Sequence, residues 1–260
     1  MLILISVAFA VPLFVALINA VKPASQSGVQ YMWQLPHSLD FSSIRQAFGA
    51  LAPSFGNSLV ITLGSTVLIV IFASVNGYIL AKLKFRGADV IMLLLMFGMF
   101  IPYQVVLTPL VHVLAALGLY NSLLGLSLVH FIYGLPLATL IFRNFYAAIP
   151  DEILQAAEMD GADQFRVFLD VVLPLSGPGI LVVFIYQFTN VWNDFLFGLV
   201  VVPNPALQPM TVALNNVSSA MNIQWNVVMA ASILASIPTI IVYIIFGRMF
   251  VSGLMAGALK

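Results

Sequence analysis

Long apolar runs alternate with short polar stretches along this chain, and six of the runs are long enough to cross a membrane. A helix needs about 20 residues to span a hydrocarbon core of roughly 30 Å. The third run contains Pro102 and Pro109, so we expect a kinked or broken helix there. The predicted spans are residues 2–21, 59–83, 90–116, 123–142, 177–202 and 227–249.

The first run differs in pattern from a cleaved signal peptide. No basic region precedes it, and no small-residue cleavage site lies before Lys22. We therefore expect a retained span. The whole pattern predicts an all-α integral membrane protein in which residues 1–260 form a single transmembrane domain.

Composition supports the same class. The chain is 62% hydrophobic and 7% charged, whereas about a quarter of the residues in a soluble domain are charged. The net charge is zero, which argues against nucleic-acid binding and against a polybasic membrane-surface patch. Without cysteine, the chain has no disulfides, thiolate metal sites or cysteine nucleophiles.

The basic residues predict the orientation of the spans. If six spans alternate, seven of the nine basic residues lie on one side, and only Lys22 and Arg45 lie opposite. Loops rich in lysine and arginine stay in the cytoplasm. We therefore expect a multi-pass protein of the cell membrane with both termini in the cytoplasm. The seven residues are Lys82, Lys84, Arg86, Arg143, Arg166, Arg248 and Lys260.

One polar stretch between the fourth and fifth spans, residues 150–174, is called the polar segment below. It holds six of the nine acidic residues, and we expect two short helices joined at Gly161, since glycine permits a sharp turn. The second helix, residues 162–172, carries an apolar face and ends at Leu173-Pro174, because proline disfavours helix before it. The six acidic residues are Asp151, Glu152, Glu158, Asp160, Asp163 and Asp170.

Two interpretations of the polar segment remain open from the residues alone. It is either an ordinary loop helix lying on the cytoplasmic face of the membrane or the docking site of a soluble partner.

The polar segment also resembles a known motif. Ala156-Ala157, then Gly161, Val171 and Leu173-Pro174 follow the spacing of the EAA motif of binding-protein-dependent ABC importer permeases. Gln155 stands where that motif usually has Glu, and Val171 where it usually has Ile. Further matching stretches are Asn57-Ser58-Leu59, residues 82–87, Asp160-Gly161-Ala162, Trp192-Asn193-Asp194-Phe195, Gly253-Leu254 and the glycine-rich tail 251–260. The chain is most similar to the carbohydrate-uptake branch, in particular to the smaller permease of maltose-type systems.

The resemblance implies six transmembrane helices with a cytoplasmic coupling-helix loop that inserts into an ATPase subunit. It also implies a homologous second permease, a dimer of ABC ATPases that bind ATP and Mg²⁺, and a periplasmic or lipid-anchored sugar-binding protein. The chain itself has no phosphate-binding loop, so we expect neither a cofactor nor enzyme activity in it. The implied docking residues are Glu152, Gln155, Ala156, Ala157, Glu158, Asp160, Gly161, Ala162 and Phe165.

Polar residues within two predicted spans are candidates for the wall of a substrate path. Gln187, Asn190 and Asp194 recur at helical spacing in the fifth span, with Asn193 beside them, while Tyr103 and Gln104 follow Pro102 in the third. Such groups hydrogen-bond sugar hydroxyls, and polar residues in spans normally face a water-filled path or the bundle interior. The alternative is a network of hydrogen bonds between helices.

These observations predict the membrane permease subunit of an ATP-driven sugar or polyol importer. The alternatives are a permease for a non-sugar substrate, an ion-gradient-driven transporter and a scaffold without transport activity. A secondary transporter usually has several acids within its spans, and Asp194 is the only one here. His112 and His130 lack neighbouring ligands at a suitable spacing, so we expect no metal site.

Overall fold

The computed structural model describes residues 1–83, 85–220 and 223–258, without the side chains of Leu2 and residues 248–258. All regular structure in these residues is helical, in agreement with the predicted class. The helices are α1 (Leu2–Ala20), α2 (Ser42–Lys82), α3 (Ala88–Phe100), α4 (Tyr103–Ala116), α5 (Leu123–Ala147), α6 (Asp151–Met159), α7 (Gln164–Arg166), α8 (Leu173–Leu175), α9 (Gly177–Asn193), α10 (Leu196–Val201), α11 (Met210–Ser218) and α12 (Trp225–Ala258). A π-helical stretch, Val167–Val172, joins α7 to α8.

The candidate spans match the predicted pattern. Helices α1, α2, α5 and α12 are each long and apolar enough to cross a membrane. Two bent pairs complete the set if each pair is one span: α3 with α4, bent by 99°, and α7–α8 with α9, bent by 75°. The break expected near Pro102 is present, because α3 ends at Phe100 and α4 begins at Tyr103. Of the predicted tail 251–260, residues through Ala258 continue α12, and the last two lie outside the described residues.

Several helix boundaries differ from the prediction: α5 extends to Ala147 and α12 to Ala258, and the start of α2 and the end of α9 also differ. Helix α2 begins at Ser42, well before residue 59, because a hydropathy window detects the apolar part of a helix and misses its polar extension. Just before it, Asp40 Oδ1 accepts a hydrogen bond from Ser42 N at 2.8 Å, which lowers the pKa of the Asp40 carboxyl. Helix α9 ends at Asn193, so the predicted fifth span 177–202 is interrupted before α10.

The chain divides into two compact units: Met1–Val60 with Asp194–Ile240, and Ile61–Asn193 with Ile241–Lys260. The single transmembrane domain of residues 1–260 stays a prediction. Each unit has its own pattern of buried groups, and each is described separately below.

The second unit is built around α5, against which α3 and α9 pack. Close approach of α2 to α5 depends on Gly77, where an added Cβ would lie 2.5 Å from Phe142 Cβ. Ser65 Oγ donates to the carbonyl of Ser127 at 3.0 Å across the same pair of helices. Small residues allow helices to approach closely, and a side-chain hydrogen bond then joins them.

The first unit contains a buried lysine outside the helical spans. Lys22 is fully buried, and its Nζ donates to Asn19 Oδ1 at 2.9 Å and to the carbonyl of Tyr31 at 2.7 Å. Asn226 Nδ2, at the start of α12, donates to the carbonyl of Lys22 at 3.1 Å. These bonds satisfy the ammonium group with neutral oxygens and fix the loop that follows α1.

Candidate functional site

The first helix of the polar segment, α6, follows Pro150 directly. The fixed φ of proline suits the residues that open a helix, and Asp151 and Glu152 place negative charge in the first turn, where the helix dipole favours it. Leu154 is buried and Ala157 is half-buried, which fixes one face of α6 against the rest of the second unit. The opposite face is open to a partner.

Gly161 makes the turn after α6. Its φ is +87°, in the left-handed region, and no atom lies within 4 Å of where a Cβ would stand. Gly161 N donates to the carbonyl of Glu158, and Ala162 N donates to the carbonyl of Ala157, both at 3.0 Å. This pair of bonds is the Schellman motif, in which a glycine satisfies the last carbonyls of a helix and reverses the chain.

The second helix begins at Gln164, capped by Asp163 Oδ1, which accepts from Arg166 N at 2.8 Å. The predicted end at Leu173-Pro174 is wrong, because the helix continues through α8 to Leu175. The π-helical turns before Pro174 already depart from the i→i−4 ladder that a proline ring would disrupt. The proline is therefore accommodated within the helix, and the bend of the chain comes after Leu175.

The last turns of α2 attach the polar segment to the second unit. Lys82 Nζ lies 2.6 Å from Asp151 Oδ1 and donates to the carbonyl of Ile149, also at 2.6 Å. Tyr78, one turn earlier, donates from its hydroxyl to Gln164 Oε1 at 2.9 Å. Gln164 Nε2 in turn donates to Glu158 Oε1, which ties α7 to α6.

Apolar side chains anchor the same segment from beneath. Leu154, Val167, Phe168 and Val172 are buried in one cluster with Tyr78, Phe142 and Tyr146. Each buried side chain of this size contributes roughly 1.5–3 kcal/mol through its removal from water. The polar segment is therefore a packed part of the second unit and not a loosely attached loop.

The outward face of the polar segment combines large apolar groups with carboxylates. Met159 is 90% exposed and Phe165 68% exposed, and Glu152, Glu158 and Asp160 are exposed near them in sequence. Exposed methionine and phenylalanine are typical of a surface that meets another protein. Of the predicted docking residues, Ala157 and Ala162 are half-buried, and the rest are exposed: Glu152, Gln155, Ala156, Glu158, Asp160, Gly161 and Phe165.

The polar residues of α9 lie on two different faces. Gln187 is buried, and its Nε2 donates to the carbonyl of Gly134 at 3.0 Å, so it joins α9 to α5. Asn190 and Asn193 are exposed, and each donates to a carbonyl four residues earlier in the same helix, at 2.9 Å. Tyr186 is also exposed, 38%, whereas Phe188 and Trp192 are buried and stack on each other. The exposed polar face of α9 therefore comprises Tyr186, Asn190 and Asn193.

Asp194 has a structural role in the first unit. Its Oδ2 accepts from Gly198 N at 3.0 Å, and its Oδ1 from Phe197 N at 3.4 Å, so the carboxylate caps the N-terminus of α10. Thr211 Oγ1 donates to the backbone carbonyl of Asp194. These bonds and the helix dipole stabilise the charge without a substrate.

Tyr103 and Gln104 stand at the start of α4, directly after the break at Pro102. Both are exposed in the second unit, Tyr103 by 42%. A broken helix leaves backbone carbonyls unpaired within the helix, and such breaks normally line protein-enclosed or water-filled space. Their predicted place in the wall of a substrate path stays a prediction.

Tyr78 and Lys82 were not identified from the sequence. Both lie in the last turns of an apolar span, where Lys82 contributes to the count of basic residues and opens the matching stretch 82–87. A polar pair spaced i, i+4 lies on one face of a helix and points to a shared partner, but the sequence gives no register between α2 and the polar segment.

Comparison with known proteins gives a consistent family. Residues 73–255 match the model of the binding-protein-dependent transport system inner membrane component. A probable ABC transporter permease protein of Pyrococcus horikoshii is 44% identical over 185 residues, which are 71% of this chain and 67% of that protein. The xylose/arabinose import permease protein XacI of Haloferax volcanii is 32% identical over 96% of this chain and 88% of its own length.

A solved structure shares the fold. One chain of a bacterial ABC transporter involved in the import of the acidic polysaccharide alginate superposes with a TM-score of 0.84. The match covers 96% of this chain and 93% of that chain, at 22% sequence identity. At this identity the likeness concerns the arrangement of helices alone.

Proposed function

The chain belongs to the family of binding-protein-dependent transport system inner membrane components, and we propose that it is the permease subunit of an ATP-driven importer for a sugar or a related polyol. It forms the membrane path together with a homologous second permease. A dimer of ABC ATPases binds ATP and Mg²⁺ on the cytoplasmic side, and a periplasmic or lipid-anchored binding protein delivers the substrate. In this proposal the chain carries no cofactor and catalyses no reaction.

The observation that carries this proposal is the polar segment. It is rigidly anchored through Tyr78, Lys82 and a buried apolar cluster, yet its outer face exposes Met159 and Phe165. An anchored element with an exposed apolar face transmits force from a docked partner into the spans. Closure of the ATPase dimer on ATP then shifts the spans between inward-open and outward-open populations.

A carbohydrate substrate is favoured by two of the compared proteins and by the chemistry of α9. One relative is named for xylose and arabinose import, and the structural neighbour for alginate import. The amides of Asn190 and Asn193 and the ring of Tyr186 offer hydrogen bonds and a stacking surface on an exposed helix face. We assign these residues to the path wall, with Tyr103 and Gln104 as further candidates. Gln187 and Asp194 already make hydrogen bonds within the fold and are therefore the less favoured candidates for the path wall.

Uptake into vesicles tests the function. The purified chain is reconstituted with its partner permease and ATPase, and sugar accumulation is measured with ATP and the binding protein present. We expect uptake that needs ATP and the ATPase and that continues when a protonophore dissipates the proton gradient. Uptake that needs an ion gradient and not the ATPase would instead identify a secondary transporter.

Thiol protection tests the docking surface. The chain contains no cysteine, so Ala156→Cys introduces a unique thiol on the exposed face of α6. We expect the ATPase to protect this thiol from a maleimide, because the docked subunit covers α6. Leu35→Cys, exposed in the loop that follows α1, is the control, and its labelling should not change. Equal labelling of Ala156→Cys with and without the ATPase would contradict docking there.

A further inference from the structure

Lys82 forms the first of two contacts between α2 and the polar segment. Its side chain is 6% exposed, although it lies at the end of a helix and carries a charge. The ammonium group meets the carbonyl of Ile149, just after α5, and the carboxylate of Asp151, the first residue of α6. A charge-assisted bond of this kind is strong and directional, so movement of the start of α6 displaces Lys82 with it.

Tyr78 forms the second contact. Its hydroxyl reaches Gln164 at the start of the second helix of the polar segment, and its ring packs 5.2 Å from the ring of Phe168. Tyr78 and Lys82 are four residues apart, so they lie on one face of α2 about 6 Å apart along its axis. The two residues therefore hold the two helices of the polar segment separately.

Two separated contacts have a mechanical consequence that one contact lacks. A single contact lets two bodies pivot about it, whereas two contacts transmit rotation as well as displacement. The apolar cluster beneath the polar segment does not determine the direction in which α2 moves, because apolar contacts are non-directional. The bond from Gln164 to Glu158 closes the arrangement by joining the two held helices.

We propose that Tyr78 and Lys82 are positioning residues through which movement of the polar segment is imposed on α2. This inference rests on the proposed function, in which an ATPase moves the polar segment. In it, movement of the polar segment displaces α2 through the polar contacts of Tyr78 and Lys82. Both side chains are engaged by Gln164, Ile149 and Asp151, so their removal should change the yield of transport per ATP more than the rate of ATP hydrolysis.

The second unit offers a matched control. Arg143 Nη2 pairs with Asp89 Oδ1 at 2.7 Å, and Arg143 Nε donates to the carbonyl of Leu80 at 3.4 Å. This ion pair also lies near the end of α2, but it joins α5 to α3 and not to the polar segment. Asp89→Asn therefore removes a neighbouring, more exposed ion pair without touching the two proposed contacts.

The experiment measures uptake and ATP hydrolysis on the same reconstituted complexes. Tyr78→Phe removes only a hydroxyl, and Lys82→Met removes the charge while keeping the stem that fills the site. We expect sugar transported per ATP to fall about threefold for Tyr78→Phe, the loss of one neutral hydrogen bond, and about tenfold for Lys82→Met, the loss of a charge-assisted pair. ATP hydrolysis should stay within about twofold of wild type, and Lys82→Arg should restore part of the yield.

The outcomes separate this inference from the proposed function. If the wild-type complex transports sugar with ATP but both variants keep its yield per ATP, the inference is overturned and the proposed function stands. An equal loss in Asp89→Asn would also overturn it, because the effect would then be general to this end of α2. If Lys82→Met fails to assemble, the isosteric Tyr78→Phe decides alone, and an unchanged yield in that variant counts against the proposal.

Discussion

At the residue scale, the turn of the polar segment depends on the left-handed backbone of Gly161. Because no atom lies near the missing Cβ, a substitution there costs backbone strain and no steric clash. We expect Gly161→Val to cost about 1–3 kcal/mol, since a β-branched residue resists positive φ. The expected result is a complex that either fails to assemble or hydrolyses ATP without sugar uptake, measured in reconstituted vesicles.

Asparagine is the matched control at this position. The chain already holds Asn121 at φ 56°, so it uses asparagine in the left-handed region elsewhere. Gly161→Asn should therefore retain most of the uptake. Equal losses in the valine and asparagine variants would show that side-chain bulk at the ATPase, and not backbone strain, is the cause.

Asp194 carries a second prediction at this scale. Asp194→Leu removes both acceptor bonds to the start of α10 and should lower the free energy of unfolding by about 1 kcal/mol. Asp194→Asn keeps an acceptor and should lose less. Thermal unfolding of the purified complex measures both. A leucine variant of unchanged stability that has lost uptake would place the carboxylate in the substrate path instead.

Asp194 and Gln187 show why polar residues within spans are hard to assign from sequence. A substrate contact, a helix cap and an interhelical bond all demand the same polar side chains at a similar depth. The choice depends on which backbone group lies opposite, Gly134 for Gln187 and Gly198 for Asp194. That neighbour is fixed by tertiary packing, which the periodicity of one helix does not encode.

At the element scale, the contact of α2 with α5 gives a paired test on one helix. Gly77→Ala places a Cβ 2.5 Å from Phe142 Cβ and 2.9 Å from Arg143 N, and overpacking of this kind costs about 1–3 kcal/mol. Gly64→Ala lies on the same helix with no atom within 4 Å and should be neutral or stabilising by up to about 1 kcal/mol. Thermal unfolding of the two variants should therefore shift in opposite directions or by clearly different amounts. Similar shifts would contradict the close approach at Gly77.

Element boundaries were predictable where local chemistry decides them. Pro102 marks the break between α3 and α4, and Gly161 marks the end of the turn after α6. The start of α2 and the continuation through Pro174 were not predictable in this way. An apolar run matches the thickness of the hydrocarbon core, so it does not give the full length of a helix with a polar extension such as α2. A π-helical stretch that accommodates a proline has no distinct residue pattern.

At the scale of the whole molecule, the distribution of basic residues predicts the orientation in the membrane. Gln155→Cys in the polar segment and Leu35→Cys in the loop after α1 are both exposed. A membrane-impermeant maleimide should label Gln155→Cys only in inverted vesicles and Leu35→Cys only in intact cells whose outer envelope admits the reagent. The reverse pattern would contradict the cytoplasmic termini. Lys84 and Lys260, which contribute to the count, lie outside the described residues.

The π-helical stretch Val167–Val172 decides how a change in chain length affects the exposed face of the polar segment. Its hydrogen bonds reach one residue farther than those of an α-helix, which is the geometry that a single inserted residue produces. In a regular α-helix one extra residue would rotate everything beyond it by about 100°, whereas the wider π-helical turns absorb that residue, so Gln164 and α6 keep their direction relative to Leu175. A relative with one residue fewer here would therefore present the same side of α6, so this stretch can change length without changing the exposed face of the polar segment.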